Sequence, residues 1–406
     1  MAKIEVIEGG TVTTPSGFLA GAVVAGIKEG NTGKPDLAIL YSEGACTAAA
    51  LFTTNKVKAA PILVSQKHLA GKSIAAIVAN SGCANACTME QGLLDAEEMA
   101  TLAAGGLGVR PEEVLVASTG VIGVPLPMGR IREGIERVKL ERDGGHDFAR
   151  AVMTTDTVAK ERALSVSLRG GQCSIGGVVK GSGMIHPNMA TLLCFLTTDA
   201  TVEKDFLQKV LKSAVAGSFN MVTVDGDTST NDSIFLLANG LCGLPDLRAG
   251  TEEGALFQEA VTSLCTYLAR CVATDGEGAT RLIEVTVEGA KSLADARRAA
   301  RTIAGSFLVK AAVHGGDPNW GRIMAALGRS GVAMVESKVE LAVGGVKLLE
   351  RGRLVYHTLD SERVRQAFME REVSILVRLN MGKGKATAWG CDLSEEYVTI
   401  NSAYAT

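Results

Sequence analysis

The chain has 406 residues, of which 47% are apolar and 4% aromatic, which is enough for a large core and for two or three domains. Its formal net charge is -3, with 41 basic and 44 acidic residues spread along the chain, so we expect no nucleic acid and no membrane as partner. There is no run of about 20 apolar residues, and the start MAKIEVIEGG lacks the pattern of a signal or transit peptide, so we expect a cytoplasmic protein.

The cysteine pattern is typical of a reduced protein. The nine cysteines are odd in number, and most lie inside apolar runs, as Cys194 and Cys265 do. Cys83 and Cys87 have no partner pair of Cys or His at a zinc spacing. We therefore expect no disulfide framework, no metal and no bound cofactor.

The first part of the chain predicts short strands that end in glycine turns. Strands are predicted at 74–78 and 114–117, and helices at 93–104 and 128–138. The second strand runs into Ser118-Thr-Gly120, a turn that exposes backbone N–H groups beside a hydroxyl. Such groups can form an oxyanion hole, although an ordinary turn between strand and helix is the more common meaning of this pattern.

The stretch 180–198, KGSGMIHPNMATLLCFLTT, carries the clearest chemical signal. It passes from a flexible turn through Ala190 and Thr191 into an apolar strand at 192–196. A Thr at this place can attack the carbonyl of the preceding residue, and the cut frees an α-amine that titrates at about pH 8 and can serve as a base. Taken alone, the pattern more often marks only the start of a core strand, because Thr favours strands.

Two later segments also carry polar groups. Helices are predicted at 203–216 and 252–271, and Asp225-Gly-Asp-Thr-Ser-Thr-Asn-Asp232 lies between them. This acidic segment lacks the Gly and Glu that an EF-hand loop requires, so we expect a hydrogen-bonded turn instead of a calcium site. Asp275-Gly-Glu277-Gly places a carboxylate between glycines, where a ligand can approach, although most such acids are simply solvated.

From residue 281 the pattern indicates a smaller α+β unit. Its predicted elements are strands at 283–287, 335–343, 373–379 and 397–400 and helices at 293–303, 321–327 and 362–369. The segment Met381-Gly-Lys-Gly-Lys385 lacks the spacing and the hydroxyl residue of a phosphate-binding loop, so ATP use is not expected.

Seven blocks of the chain, in this order, resemble those of the ornithine acetyltransferase family, the bifunctional glutamate N-acetyltransferases of cyclic arginine biosynthesis. The blocks are Asn80-Ser-Gly-Cys-Ala-Asn85, Ser118-Thr-Gly-Val-Ile-Gly123, Met153-Thr-Thr-Asp-Thr157, Lys180-Gly-Ser-Gly-Met-Ile-His-Pro-Asn-Met-Ala-Thr191, Val224-Asp-Gly-Asp-Thr-Ser-Thr-Asn231, Gly316-Asp-Pro-Asn-Trp-Gly321 and Asn401-Ser-Ala-Tyr-Ala-Thr406. The resemblance covers nearly the full chain and is specific.

The resemblance implies a fold and a division of the chain. The fold would be mixed α/β, with two stacked sheets covered by helices (αββα) as in N-terminal-nucleophile enzymes, and a smaller C-terminal α+β domain. Self-cleavage between Ala190 and Thr191 would give an α chain, 1–190, and a β chain that contributes 191–280 to the catalytic unit. Residues 281–406 would form the C-terminal domain, whose tail returns to the active site. The usual assembly of the family is a heterotetramer of two α and two β chains.

The resemblance also implies the roles of individual residues. Thr191 would be the nucleophile, and Thr119 and Gly120 would form the oxyanion hole. The implied substrate-binding residues are Thr154, Lys180, Thr191, Glu277, Asn401 and Thr406. By charge, we expect Lys180 to pair with the carboxylate of the substrate and Glu277 with the amine of ornithine.

The implied reaction is a ping-pong transfer of an acetyl group from N2-acetyl-L-ornithine to L-glutamate. Acetyl-CoA is a possible second donor, used as a co-substrate and not as a bound cofactor. Members of the family differ in this respect, and the sequence has no nucleotide-binding signature that decides it. We expect the bifunctional form.

Other assignments remain open at this point. An aminopeptidase or amidase on the same scaffold would use water as the acceptor, and a non-catalytic binding protein would keep the chain uncut. His186, five residues before Thr191, is an alternative base. The chain has no Gly-x-Ser-x-Gly elbow of a Ser-His-Asp hydrolase, and no cysteine lies in a basic, exposed context that would make it a nucleophile.

Overall fold

The computed structural model describes residues 3–28, 30–31, 33–71, 73–186, 192–355 and 361–403. Within these residues the strands are β1 (Lys3–Ile7), β2 (Phe18–Val23), β3 (Leu37–Phe52), β4 (Ile74–Asn80), β5 (Val114–Ser118), β6 (Lys160–Leu168), β7 (Gly171–Lys180), β8 (Leu193–Thr198), β9 (Val222–Thr223), β10 (Ser233–Ala238), β11 (Leu282–Ala290), β12 (Glu340–Val343), β13 (Val346–Glu350), β14 (Arg353–Leu354), β15 (Glu372–Arg378) and β16 (Gly384–Cys391). The helices are α1 (Ala60–Leu69), α2 (Met89–Leu107), α3 (Met128–Arg137), α4 (Gly145–Ala151), α5 (Lys204–Gly217), α6 (Glu252–Thr274), α7 (Leu293–Ala304), α8 (Phe307–Gly315), α9 (Trp320–Gly328), α10 (Ser361–Met369) and α11 (Glu395–Ala403).

The long strand β3 belongs to two sheets. Its residues 47–52 pair with β10, in a sheet ordered β1-β6-β7-β8-β10-β3. Its earlier residues pair with β2 and β4, in a sheet ordered β2-β3-β4-β5. The register of β3 against β4 shifts between Tyr41 and Cys46, and such an irregularity allows a strand to bend from one sheet into the next.

The two sheets stack face to face, because successive residues of their strands point to opposite sides. In β8, Leu193 and Phe195 face the core between the sheets, whereas Cys194 faces the core on the other side. In β5, Leu115 and Ala117 reach the same inner core as Phe195. This period of two is the apolar pattern of strands that are buried on both faces.

Helices cover both outer faces of this stack. Helices α1, α2 and α3 supply apolar residues to the core outside the β2-β3-β4-β5 sheet. Helices α5 and α6 cover the other sheet, where α6 packs on β6 and β7. This arrangement confirms the predicted αββα fold. None of the helices in the described ranges is long and apolar enough to cross a membrane.

A third sheet, ordered β14-β13-β12-β15-β11-β16-β9, forms the C-terminal part of the protein. Helix α7 packs on β11 and β16, and α6 contacts the same two strands. Helix α6 therefore lies between the C-terminal sheet and the αββα stack. The short strand β9, from the middle of the chain, pairs with β16 at Trp389 and Gly390 and adds a further connection between the two parts.

One predicted strand near the C-terminus was wrong, and another was predicted too long. The segment 397–400 lies in helix α11 and not in a strand, because Glu395 and Glu396 occupy the first turn of a helix. The Ser394 hydroxyl accepts the N–H of Tyr397 (3.3 Å), which is the hydrogen bond of a helix N-cap. In the segment 335–343 only β12 is a strand, since a 3-10 turn occupies Glu336–Lys338.

Candidate active site

Six of the residues singled out from the sequence line one cavity of about 340 Å³. They are Thr119, Gly120, Thr154, Lys180, Glu277 and Asn401. The predicted Ala190, Thr191 and Thr406 lie outside the described residues. Ile185 and Leu192, which flank residues 187–191 in the chain, also line the cavity. Tertiary structure thus brings together residues that are far apart in sequence.

The turn after β5 is held closely against the turn after β4. The N–H of Thr119 donates to the Asn80 carbonyl (3.0 Å), and that of Val121 donates to the Gly82 carbonyl (3.3 Å). Gly120 has a φ of +131°, and a methyl group there would come within 2.3 Å of the Gly82 carbonyl carbon, so only glycine fits. Among the described residues, the Gly120 N–H has no hydrogen-bond acceptor. This N–H is therefore available to a negatively charged oxygen in the cavity.

Lys180 is a buried cation at the end of β7, with 9% of its surface exposed. Its Nζ donates to Thr119 Oγ1 (2.9 Å) and to Thr154 Oγ1 (3.1 Å). Because an ammonium only donates, both hydroxyl oxygens accept, and each hydroxyl keeps its own proton for a ligand. One N–H of the ammonium is also left for a ligand. Burial lowers the pKa of Lys180, although the Asp156 carboxylate acts in the opposite direction.

A buried ion cluster of Asp156, Lys160 and Asp275 fixes the segments that carry these groups. Lys160 Nζ lies 2.6 Å from Asp156 Oδ1 and also binds the Asp275 carboxylate. The Asp156 carboxylate accepts the backbone N–H groups of Gly181 (2.7 Å) and Thr154 (3.0 Å). Burial alone would raise the pKa of Asp156, but two lysine charges and the Gly181 N–H hold it below its usual range. Asp156 is therefore ionised, and the cluster positions the backbone beside two predicted substrate-binding residues.

Glu277 supplies the carboxylate of the cavity from the loop after α6, and only 6% of its surface is exposed. Its N–H donates to the Ser182 carbonyl (3.1 Å), and the Ser182 hydroxyl donates to the Asp275 carbonyl (2.6 Å). Asn401 Nδ2 donates to Glu277 Oε2 (2.8 Å), so helix α11 of the C-terminal part reaches the site. A methyl group at Gly183 would come within 2.3 Å of the Glu277 carboxyl carbon, so a larger residue there would displace the carboxyl.

The segment Asp225–Asp232 forms the hydrogen-bonded turn that the sequence predicts. The Asp225 carboxylate accepts the N–H of Ile185 (2.9 Å), just before residues 187–191. Asn231 Nδ2 donates to the carbonyls of Ala84 (2.6 Å) and Ser118 (2.8 Å). The turn therefore connects the segment that leads to the predicted cleavage site with the turn after β5.

Both ring nitrogens of His186 are engaged, so the imidazole is not placed to act as a base. Its Nε2 lies 3.0 Å from a guanidinium nitrogen of Arg301, which only donates, so the ring proton lies on Nδ1. Nδ1 then donates to Thr223 Oγ1 (2.9 Å). Burial and the Arg301 charge lower the pKa of His186 to about 4. With both ring nitrogens engaged, the imidazole is a structural connection between the site and helix α7.

Sequence reasoning missed several groups that hold or line the site. Lys160 gave no signal, because a lone lysine at the start of a strand is usually exposed. Lys34, from the loop before β3, donates to the Met153 carbonyl (3.1 Å) and was not singled out either. Asp156 lies inside the block 153–157, which carries part of the family resemblance, so the sequence did contain a signal for this residue. Asp232 was treated only as part of a turn, but it lines the cavity.

Comparison with known proteins identifies close relatives over the full length. A family model described as the ArgJ family matches residues 19–406. The chain is 53% identical over 405 residues to the arginine biosynthesis bifunctional protein ArgJ of Dehalococcoides mccartyi (strain CBDB1), with 100% of both chains covered. It is 50% identical over 399 residues to the protein of the same name from Symbiobacterium thermophilum, with 98% of this chain and 99% of that protein covered. A solved structure of ornithine acetyltransferase complexed with ornithine, from Mycobacterium tuberculosis, is 37% identical, covers 46% of this chain and 100% of the solved chain, and gives a TM-score of 0.43.

Proposed function

The chain belongs to the ArgJ family and is an acetyltransferase of arginine biosynthesis, and we propose that it moves the acetyl group of N2-acetyl-L-ornithine to L-glutamate through an acetyl-threonine intermediate. One observation carries this proposal. Six predicted residues from separate parts of the chain line one cavity, and Leu192, the residue after Thr191, lines it as well. Their side chains and backbone supply a cation, hydroxyls, a free N–H and a carboxylate, which are the groups that acetyl transfer between amino acids needs.

The proposed enzyme matures by self-cleavage between Ala190 and Thr191, which gives chains 1–190 and 191–406. Strand β8 pairs with β7 on one side, where Lys180 lies opposite Leu193, and with β10 on the other. Because β7 would belong to the first chain and β8 to the second, the strands on both sides of the cut remain paired. We therefore expect the two chains to stay folded together, and the family's heterotetramer is the expected assembly.

The first half-reaction acetylates Thr191. Its hydroxyl oxygen attacks the acetyl carbonyl carbon, and its free α-amine takes the hydroxyl proton. The oxyanion that forms accepts from the Gly120 N–H and from the Thr119 hydroxyl, which Lys180 orients. The bond between the acetyl carbon and the ornithine nitrogen then breaks, that nitrogen takes a proton from the α-ammonium, and ornithine leaves.

In the second half-reaction the amine of glutamate attacks the acetyl ester on Thr191. The same oxyanion contacts hold the intermediate, the α-amine of Thr191 passes a proton from the attacking nitrogen to the leaving ester oxygen, and N-acetylglutamate is released. Both substrates are α-amino acids, so one cavity serves both steps. We further propose that acetyl-CoA acetylates the same threonine, in agreement with the word bifunctional in the names of the relatives.

Charge and geometry assign the substrate contacts. Lys180 has one N–H left for the carboxylate of the substrate. Glu277, held by Asn401, takes the second amine of ornithine. Thr154 presents a hydroxyl whose own proton is free, and Thr406 completes the predicted contacts.

The test combines intact mass with acetyl transfer. Under denaturing conditions the wild type should give two fragments, one beginning Thr191-Leu-Leu-Cys, whereas Thr191→Ala should stay intact. Loss of a nucleophile of this kind lowers kcat by about 1000-fold or more. Retained acetyl transfer by Thr191→Ala would refute the mechanism.

Two further measurements decide the acceptor and the second donor. Ornithine release that continues beyond one equivalent per enzyme in the absence of glutamate would point instead to a hydrolase, because the first half-reaction of the transferase releases only one equivalent. Acetylglutamate formation from acetyl-CoA without acetylornithine tests the second activity, and its absence would limit the enzyme to acetylornithine as donor.

A further inference from the structure

The carboxyl group of Asp232 is buried at the active-site cavity, and neither half-reaction of the proposed acetyl transfer uses it. The residue lines the cavity, only 2% of its surface is exposed, and Oδ2 has no hydrogen-bond partner among the described residues. Its backbone is fixed from two sides: its carbonyl accepts the N–H of Thr53 (3.0 Å), and the next residue, Ser233, donates its N–H to the Leu192 carbonyl (3.0 Å). A buried polar atom left unpaired at a cavity is a strong candidate for a functional group.

Strand register places Asp232 beside Leu192, the residue that follows the predicted Thr191. Strands β8 and β10 are parallel neighbours, with Ser233 opposite Leu193. One step back along both strands, Asp232 is level with Leu192, and the Leu192 N–H is among the groups that act on its carboxyl. The nitrogen of Leu192 is bonded to the carbonyl carbon of Thr191, and consecutive Cα atoms are only about 3.8 Å apart. The carboxyl of Asp232 therefore acts on the backbone of Leu192, the residue directly bonded to Thr191.

The buried environment favours the neutral form of the carboxyl. Burial raises the pKa of Asp232 well above its usual range, more than the Ser229 and Thr53 hydroxyls, the Lys180 charge and the Leu192 N–H lower it. The Lys180 ammonium is itself committed to two hydroxyl oxygens. A neutral carboxyl has one oxygen that accepts a proton and one O–H that donates, which an ionised carboxylate does not have.

We infer that Asp232 is the proton-transfer residue of the self-cleavage between Ala190 and Thr191, an inference that rests on the self-cleavage proposed above. As the Thr191 hydroxyl oxygen bonds to the Ala190 carbonyl carbon, one oxygen of the carboxyl takes the hydroxyl proton. As the bond from that carbon to the Thr191 nitrogen breaks, the other oxygen gives its proton to the nitrogen. Asp232 is neutral before and after, and the product is an ester between Ala190 and Thr191.

Water then completes the cleavage. Its oxygen bonds to the ester carbon, the bond to the Thr191 oxygen breaks, and one water proton goes to that oxygen. The products are the Ala190 carboxyl group and a Thr191 that carries both a hydroxyl and a free α-amine. Asp232 is thus needed before the α-amine exists, which is the stage at which Thr191 cannot serve as its own base.

The test is the rate of cleavage of the full chain in cell-free translation, followed by gel and intact mass. Asp232→Asn keeps the size and neutrality of the side chain but cannot relay a proton, and general acid–base groups typically contribute about 100- to 10,000-fold. We therefore expect cleavage to slow by at least about 100-fold. Asp95→Asn is the matched control, because Asp95 is also buried, at 4% exposure, but lies on α2 and does not line the cavity. It should cleave like the wild type.

The thermal stability of Asp232→Asn is compared with that of Thr191→Ala, which should stay uncut because it lacks the nucleophile. Asp232→Asn should melt within a few degrees of Thr191→Ala. Asp232→Ala opens space for a small acid, so added formate should accelerate its cleavage, which a purely structural role would not allow. Cleavage of Asp232→Asn within twofold of the wild type, or no effect of formate on Asp232→Ala, overturns the inference while self-cleavage stands. A wild-type chain that never cleaves overturns both.

Discussion

Replacement of Lys160 by Met tests whether the buried ion cluster holds the cavity in shape. The side chains of Lys160, Asp156 and Asp275 are 1%, 0% and 8% exposed. Methionine keeps the apolar stem but leaves two buried carboxylates near each other without a cation. Removal of one partner from a buried ion pair costs about 3–5 kcal/mol, so the free energy of unfolding at neutral pH should fall by about this amount.

The fall in the free energy of unfolding should depend on pH, and the titration of Asp156 determines the direction of this dependence. Its pKa is lower in the folded than in the unfolded chain, where it is about 4. The carboxylate therefore contributes stability that is present above the unfolded pKa and is lost as the pH falls through the folded pKa. The difference in stability between the wild type and Lys160→Met should be largest near neutral pH and should shrink below about pH 4.

The assay is urea unfolding at several pH values, together with KM and kcat for acetylornithine. The cluster positions the Thr154 and Gly181 backbones, and a displacement of about 1 Å near a reacting group can cost about 100-fold, so we expect kcat/KM to fall by about 10- to 100-fold. Lys204→Met is the matched control, since Lys204 is exposed at the start of α5. Equal stability of Lys160→Met and the wild type at pH 7, or an equal deficit at every pH, would refute the reasoning.

Three further changes test single contacts. Gly183→Ala should displace the Glu277 carboxyl and raise KM for acetylornithine by about tenfold or more, since that carboxyl lies within 2.3 Å of the added methyl group. Gly217→Ala is the control, because the space around Gly217 is open. An unchanged KM in Gly183→Ala would contradict the contact assigned to Glu277. His186→Gln should keep acetyl transfer within about tenfold, whereas a loss of 100-fold or more would restore His186 as a base. The pKa of folded His186 is about 4, below the ordinary value of about 6.5, so wild-type stability should fall as the pH drops from 6.5 to 4, and His186→Gln should lose less over this range in urea titrations. Asn401→Ala should raise KM for acetylornithine with little change in kcat, and an equal loss in kcat would show instead that the tail acts in the chemical step.

The elements of the fold were predictable where local pattern and environment agree. The apolar run of β8 and the apolar stripe of α5 appear in the sequence as a strand and a helix, and both lie within a residue or two of the expected ranges. The prediction was wrong at 397–400, because a short segment with Val and Ile resembles a strand and only the Ser394 cap and two glutamates start a helix there. The strands β6, β7 and β16 were not predicted at all.

The residues of the site were likewise predictable only in part. The sequence by itself, through its resemblance to a family, predicted that Thr119, Lys180 and Glu277 carry the chemistry, and these residues line one cavity. Only tertiary structure decided what holds them and what surrounds them. Burial of Lys160 between two aspartates, the engagement of His186 by Arg301 and the unpaired oxygen of Asp232 arise from contacts between segments far apart in the chain. The physical reason is that burial and charge pairing are properties of neighbours in space, and a local pattern contains neither.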